Sequence, residues 1–213
     1  MFKNVLIANR GEIACRIIRT LRELGVASTA VYHFADRAAP HVALADHAVE
    51  LLADVPTAAY LDVEQLLAAA RQTGADAVHP GYGFLAENAG FAAAVEAAGL
   101  AFIGPQPDVI RLMGDKIISR EFAVQHGVPV APSCKQEGSL QDFIDGATQI
   151  GFPLLIKAAA GGGGKGMRVV TEAAGFATAL DSAKREAKSA FGDDRVLIEK
   201  YLERPRHIEV QVF

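Results

Sequence analysis

The 213-residue sequence is 51% hydrophobic and 22% charged, enough apolar material for a real core in one large or two small domains, which excludes global disorder. Its net charge of −4 comes from 21 basic and 25 acidic residues interspersed along the chain, with no basic block that would track a nucleic-acid backbone. Cys15 and Cys134 have neither the spacing of a zinc site nor that of a disulfide framework, and Met1 leads into charged residues without a signal-type apolar run or a membrane span. A reducing, cytoplasmic setting is expected.

In chain order, Val5 to Ala8 is a short apolar run suited to a buried strand. Ile13, Ile17, Leu21 and Leu24 then recur at helical spacing until Gly25 offers a stop. Ser28 to Tyr32, Ala48 to Leu52, Ala75 to His79 and Leu100 to Ile103 read as further strands, separated by helical patterns such as Asp62 to Thr73 and Asn88 to Ala98. Alternating strands and helices predict a parallel sheet covered on both faces, a Rossmann-like α/β unit. Asn9-Arg-Gly-Glu12 sits where a dinucleotide fingerprint would, but only Gly11 is present and the G-x-G-x-x-G spacing is absent, so NAD binding is not expected.

Gly104-Pro-Gln-Pro107 interrupts the pattern, and the first domain is expected to close near Met113, giving domains at 1–113 and 114–213. A helix from about Lys116 to His126 follows, with Cys134 in a loop beyond it. Next come a helix from about Ser139 to Ile150, a strand Pro153 to Ile156, a strand Met167 to Val170 and a helix from about Thr171 to Ala190. Val196 to Glu199 and Ile208 to Phe213 read as strands, the latter with Ile208, Val210 and Val212 on one face. Since a domain rarely ends on an uncapped strand, the second domain is expected to be incomplete at Phe213.

Gly161 to Gly166, interrupted only by Lys165, is the most distinctive local feature, because glycines let backbone N–H groups approach an anion closely. A flexible turn with no ligand is the alternative. Lys165 is followed by Gly166, Met167 and a strand, not by Ser or Thr and a helix, so this is not a Walker A loop. It reads instead as the tip of a hairpin able to close over phosphates. Lys157 closes the preceding apolar strand, a costly place for a charge without an anion, although a lysine snorkelling from the strand end fits as well.

Leu197 to Leu202 runs from a strand into a connection that can present backbone groups to an adenine edge, with Glu199 as acceptor for the exocyclic amine. Leu155, Met167 and Leu202 are candidate walls for the ring, or plain core residues. His207 is a candidate ribose or phosphate contact; a lone histidine is more often structural.

Together, Ile7-Ala-Asn-Arg-Gly-Glu-Ile-Ala14, His79-Pro-Gly-Tyr-Gly-Phe-Leu-Ala-Glu-Asn88, Phe102-Ile-Gly-Pro105, Met113-Gly-Asp-Lys116, Lys157 through Met167 and Glu199 through Phe213 resemble the biotin carboxylases, over nearly the whole chain and in the family's order. The resemblance implies a Rossmann-like N-terminal domain followed by an ATP-grasp domain with an α+β lid at about 130–203. It implies that Lys116 and Lys157 bind ATP phosphates, that Gly163 and Gly164 lie in the phosphate lid, where Lys165 would add a positive charge, and that Glu199, Lys200, Tyr201 and Leu202 hold adenine, beside Met167 as a candidate wall. His207 becomes an ATP contact and Tyr82 a residue lining the biotin pocket, though a glycine-flanked tyrosine also suits a tight turn. Arg16, Arg19, Arg22 and Glu23 are expected near a dimer contact, or simply on a solvated helix face.

Such enzymes use Mg-ATP to convert bicarbonate to carboxyphosphate and carboxylate biotin on a carrier protein, which then serves a carboxyltransferase. The resemblance implies that the catalytic residues and the magnesium ligands lie beyond Phe213, so that these 213 residues alone would not turn over. Two other readings are another ATP-grasp ligase of the carbamoyl-phosphate synthetase kind and a non-catalytic nucleotide-binding or dimerisation module. The Asn-Arg-Gly-Glu and His-Pro-Gly-Tyr-Gly segments weigh against the first.

Overall fold

The computed structural model describes residues 1–136, 138–160, 164–206 and 208. The chain separates into two compact units, Met1–Arg111 and Leu112–Phe213.

The first unit is built on β1 (Asn4–Ile7), α1 (Gly11–Glu23), β2 (Ala27–His33), α2 (Pro40–Leu44), β3 (His47–Leu51), α3 (Pro56–Ala59), α4 (Val63–Thr73), β4 (Ala77–His79), α5 (Ala89–Ala97) and β5 (Ala101–Phe102). All its strand pairs are parallel, in the order β3-β2-β1-β4-β5. The expected doubly covered sheet is present: Val5 and Ile7 pack with Ile18 and Leu21 of α1 on one face, while Leu6 packs with Leu66, Leu67 and Phe91 from α4 and α5 on the other. Every residue of β1 is therefore buried, as a central parallel strand requires. Asp62 and Asn88 cap α4 and α5 by accepting from Gln65 N and Phe91 N, one residue before each helix proper.

Chain order switches sides after β3, where β4 returns to pair with the free side of β1, so the ends of β1 and β4 flank the switch-point crevice that doubly wound sheets use for ligands. Asn9 closes its floor, donating Nδ2 to the carbonyls of Pro80 (2.8 Å) and Tyr82 (2.9 Å). Gly81 has φ +65°, and a Cβ there would sit 2.7 Å from Asn9 Nδ2 and 2.8 Å from Ile13, so only glycine fits. Beside it, Arg10 pairs with buried Asp36, which also accepts from Tyr60 Oη at 2.6 Å. The Arg10 hydrogen bond holds the Asp36 carboxyl below its usual range, and burial with the Asp36 bond pushes Tyr60 up to about 12.

The second unit contains α7 (Lys116–Gln125), β6 (Ser133–Lys135), α8 (Leu140–Ile150), β7 (Leu154–Ala158), β8 (Arg168–Val170), α9 (Phe176–Phe191) and β9 (Val196–Lys200); α6 (Pro107–Gly114) spans the boundary. Its antiparallel sheet has the order β6-β9-β7-β8. Leu154, Ile156, Val170, Val196 and Ile198 meet Phe143 of α8 and Phe176 and Leu180 of α9 in one core. Ser139 and Asp142 form a capping box at the start of α8.

Several expectations are corrected. Cys134 lies in β6, not in a loop, pairing with Ile198. The Pro107 region is not a break but the start of α6, because proline's missing N–H is harmless in a first helical turn. The last long helix begins at Phe176 after a 3-10 turn at Ala173–Gly175, not at Thr171. The expected strand Ile208 to Phe213 lies outside the described residues, apart from Ile208.

Burial holds the pKa of His41 and His79 below the ordinary 6.5, so below that pH the unfolded chain binds more protons and stability falls. The thermal midpoint is accordingly expected to drop between about pH 7 and about pH 5, and to drop again as the depressed Asp36 protonates. His41→Leu should flatten the first decline; a midpoint constant across it would contradict the account.

Candidate functional site

The described nucleotide-site residues expected from sequence lie in the second unit, with Lys157, Glu199 and Lys200 in its sheet and the others in the connections and helix start beside it. Along β7, Leu154, Ile156 and Ala158 are buried against α8 and α9, while Leu155 and Lys157 alternate onto the opposite, partly open face. β9 runs antiparallel beside it with Leu155 opposite Glu199 and Lys157 opposite Leu197. Lys157 and Glu199 are therefore diagonal neighbours on that open face, within reach of long side chains. On β8, Val169 stands opposite Leu155, and Met167 precedes the strand; both are exposed. The face thus offers apolar surface beside charge, the mixed composition of small-molecule sites in general.

The hairpin expected around the glycine run is present as antiparallel β7 and β8. Gly163 lies outside the described residues. Gly164 and Gly166 both have positive φ, and a Cβ on Gly166 would stand 2.9 Å from Ala158 Cβ and 3.4 Å from Ala187 Cβ, so close approach of the returning strand to β7 and α9 demands glycine there. Lys165 is exposed.

Lys116 opens α7, and its backbone N–H donates to Ala159 O at 3.0 Å, tying the helix start to the end of β7, two residues after Lys157. Asp115 caps the helix by accepting from Ile117 N and Ile118 N, and its other oxygen accepts from Arg195 at 2.9 Å. Arg195 is also held by Asp193, and these two carboxylates raise its pKa. Loops before β9 and α7 are thereby locked at the same end of the sheet as both lysines.

One interaction differs from the expectation. Glu199 does not present a bare carboxylate: Oε2 accepts from Lys157 Nζ, and Oε1 accepts from Arg120 Nη1 at 3.0 Å. The side chains are 17%, 26% and 16% exposed, so this is a half-buried triad of two cations on one anion. Sequence reasoning missed Arg120, although it lies four residues after Lys116 and so on the same face of α7. Lys200 is also committed, its Nζ donating to the carbonyls of Gly151 and Phe152 and its N–H to Pro132 O. Tyr201 N donates to Pro153 O, so the backbone donors at 200 and 201 serve the fold rather than an adenine edge. Leu202 is exposed; His207 lies outside the described residues.

A cavity of about 460 Å³ lies between α7 and the β6–β9 side, lined by Ile117, Arg120, Val124, Ser133, Cys134 and Leu197 among others. It abuts the triad through Arg120, but none of the described residues expected to contact nucleotide lines it. The alternation on β7 and the anchored lysines, not this cavity, define the candidate site. In the first unit, Tyr82 is 68% exposed in the turn whose carbonyl Asn9 holds.

Comparison with known proteins places both units. Residues 1–110 match the model of the biotin carboxylase N-terminal domain, and residues 115–213 match that of the carbamoyl-phosphate synthase L chain ATP-binding domain. The biotin carboxylase of Haemophilus influenzae is 49% identical over 217 residues, covering 100% of this chain and 48% of that protein. The propionyl-CoA carboxylase alpha chain of Ruegeria pomeroyi is 47% identical over 215 residues, covering 100% of this chain and 31% of that protein. Among solved structures, a biotin carboxylase–β,γ-ATP complex from Campylobacter jejuni superposes with TM-score 0.91 at 41% identity, covering 97% of this chain and 46% of that one. The biotin carboxylase domain dimer of Hydrogenobacter thermophilus 2-oxoglutarate carboxylase, with MgADP, ADP and bicarbonate, gives 0.91 at 45% identity, over 95% of this chain and 45% of that one. The chain spans about half the length of the biotin carboxylases it matches. The N-terminal match separates it from the carbamoyl-phosphate synthetases whose ATP-binding domain its second unit shares, and the chain belongs to the biotin carboxylase family.

Proposed function

We propose that this chain supplies the nucleotide-holding part of a biotin carboxylase that uses ATP and bicarbonate to carboxylate biotin on a carrier protein through carboxyphosphate. The observation that carries this reading is the convergence of Lys116 and Lys157 at the end of β7, enforced by the Lys116 N to Ala159 O hydrogen bond, beside the glycine hairpin. Residues 1–113 act as the N-terminal domain. Residues 114–213 act as the beginning of the ATP-grasp domain, with the lid at about 130–203.

In this reading Lys116 and Lys157 take the phosphates, and backbone N–H groups of the glycine turn, including Gly163 and Gly164, cover them with Lys165. Leu155, Met167 and Leu202 form apolar walls for adenine, with Glu199, Lys200 and Tyr201 as the strand end against which the ring lies. His207 is a further ATP contact and Tyr82 borders the biotin pocket. The protein's contribution is placement and charge stabilisation at a phosphoryl transfer. Among the described residues no group of three or more His, Cys, Asp or Glu is placed to hold a metal ion; in this reading the magnesium ligands come from sequence beyond Phe213. The catalytic residues that hold bicarbonate and polarise biotin are placed outside this chain as well.

No helix among the described residues is long and apolar enough to cross a membrane. We place the enzyme in the cytoplasm, as a homodimer of the full-length protein that works with a biotin carrier and a carboxyltransferase. The test is a chimera in which this chain replaces the matching 217 residues of the H. influenzae biotin carboxylase. It should fix labelled bicarbonate onto free biotin in an ATP-dependent manner, while the 213-residue chain alone should show no bicarbonate-dependent ATP hydrolysis. A folded but inactive chimera, or robust hydrolysis by the chain alone, would count against the reading.

A further inference from the structure

We propose that Arg120 is a positioning residue whose task is to release Lys157: by neutralising Glu199 it lets the lysine transfer from that carboxylate to a nucleotide polyphosphate. The proposal deepens the nucleotide reading and rests on it.

Lys157 Nζ donates to Glu199 Oε2, while Arg120 Nη1 holds Oε1 at 3.0 Å. The geometry poses a problem for phosphate binding. A lysine drawn onto a carboxylate is held back from an anion above the open face, and moving toward that anion would leave a lone, largely buried carboxylate at a cost. Arg120 solves this, because the guanidinium stays on Glu199 when the lysine departs. Its position is fixed independently of any ligand: α7 is pinned at its first turn by the Lys116 N to Ala159 O bond and by the Asp115 cap, whose other oxygen Arg195 holds. Glu199 is fixed in turn by β9, hydrogen-bonded on both sides within the sheet. Arg120 and Glu199 thus hang from two anchored elements, and Lys157 reaches their carboxylate from the neighbouring strand β7.

Removing Arg120 should strengthen the hold of Glu199 on Lys157 and so weaken polyphosphate binding specifically. A merely structural arginine would instead depress all nucleoside binding alike, and removing Glu199 would not correct it.

The experiment is calorimetric titration of the chain with ATP and, separately, adenosine, for wild type, Arg120→Leu, Arg120→Lys and the double variant Arg120→Leu/Glu199→Gln. Arg120→Leu should weaken ATP by about tenfold or more and adenosine by less than about threefold. Arg120→Lys should recover most of the loss, and the double variant should regain ATP affinity because Lys157 no longer has a carboxylate to leave. Unchanged ATP affinity in Arg120→Leu, equal losses for both ligands, or no recovery in the double variant overturns the proposal and leaves the nucleotide site standing. If wild type binds neither ligand, the nucleotide reading itself falls, and the proposal with it.

Discussion

Lys157→Met is expected to weaken ATP binding by roughly tenfold to a hundredfold, the value of about 1.5–3 kcal/mol for a hydrogen bond to a charged group. The same change should leave the fold almost as stable as before, within about 1 kcal/mol, because a partly exposed ion pair is worth little and Arg120 remains on Glu199. Adenosine, which has no phosphate, should bind the variant as well as the wild type. Calorimetry with both ligands beside a thermal melt reads all three quantities. An ATP affinity unchanged by the substitution would mean that Lys157 is a structural cation and that the phosphates lie elsewhere.

Gly166→Ala should cost about 2–4 kcal/mol, the sum of a left-handed backbone and an overpacked contact. Its φ is +70°, and the added methyl would lie 2.9 Å from Ala158 Cβ, which belongs to the buried side of β7 and has no flexible end to move. Gly164 supplies the control: its φ is +76° but a Cβ there meets nothing within 4 Å, so Gly164→Ala should cost only the backbone term, about 1–2 kcal/mol. Chemical denaturation of the three proteins compares them directly. Equal losses at the two positions would show that β8 can move away from β7 and α9, and that the hairpin is not held by close packing.

The parts of the fold that could be read from sequence were those in which local pattern and tertiary burial agree. The apolar run ending at Ala8 is a strand core because both faces of β1 are covered, and Asp62, Asn88 and Ser139 announce helices because each caps its own first turn. Pro107 misled because proline reads as a breaker in the middle of a pattern but is well suited to a first helical turn. Cys134 misled because β6 has three residues, too few to display alternation, and owes its existence to pairing with β9.

The candidate site divides in the same way. The glycine run and Lys157 are legible because their composition is costly without a purpose. Arg120 is not, since its partner Glu199 lies 79 residues away and only the folded sheet brings it under α7. Nor does spacing reveal that Lys200 and the N–H of Tyr201 are spent on holding the β7 entrance, or that Asp36 gathers Arg10 and Tyr60 at the ends of the parallel strands. Motifs find residues that touch ligands; the residues that hold those in place are set by contacts distant in sequence.

The central claim is that nucleotide binds the open face of the second unit's sheet, against β7, β8 and β9. Hydrogen exchange followed by mass spectrometry, with and without saturating ATP, tests it most directly. The account predicts slowed exchange in peptides covering residues 154–170 and 196–202, with the parallel strands β1 to β4 of the first unit unaffected. Protection confined to the first unit, or none in the β7–β8 hairpin at saturation, would contradict it.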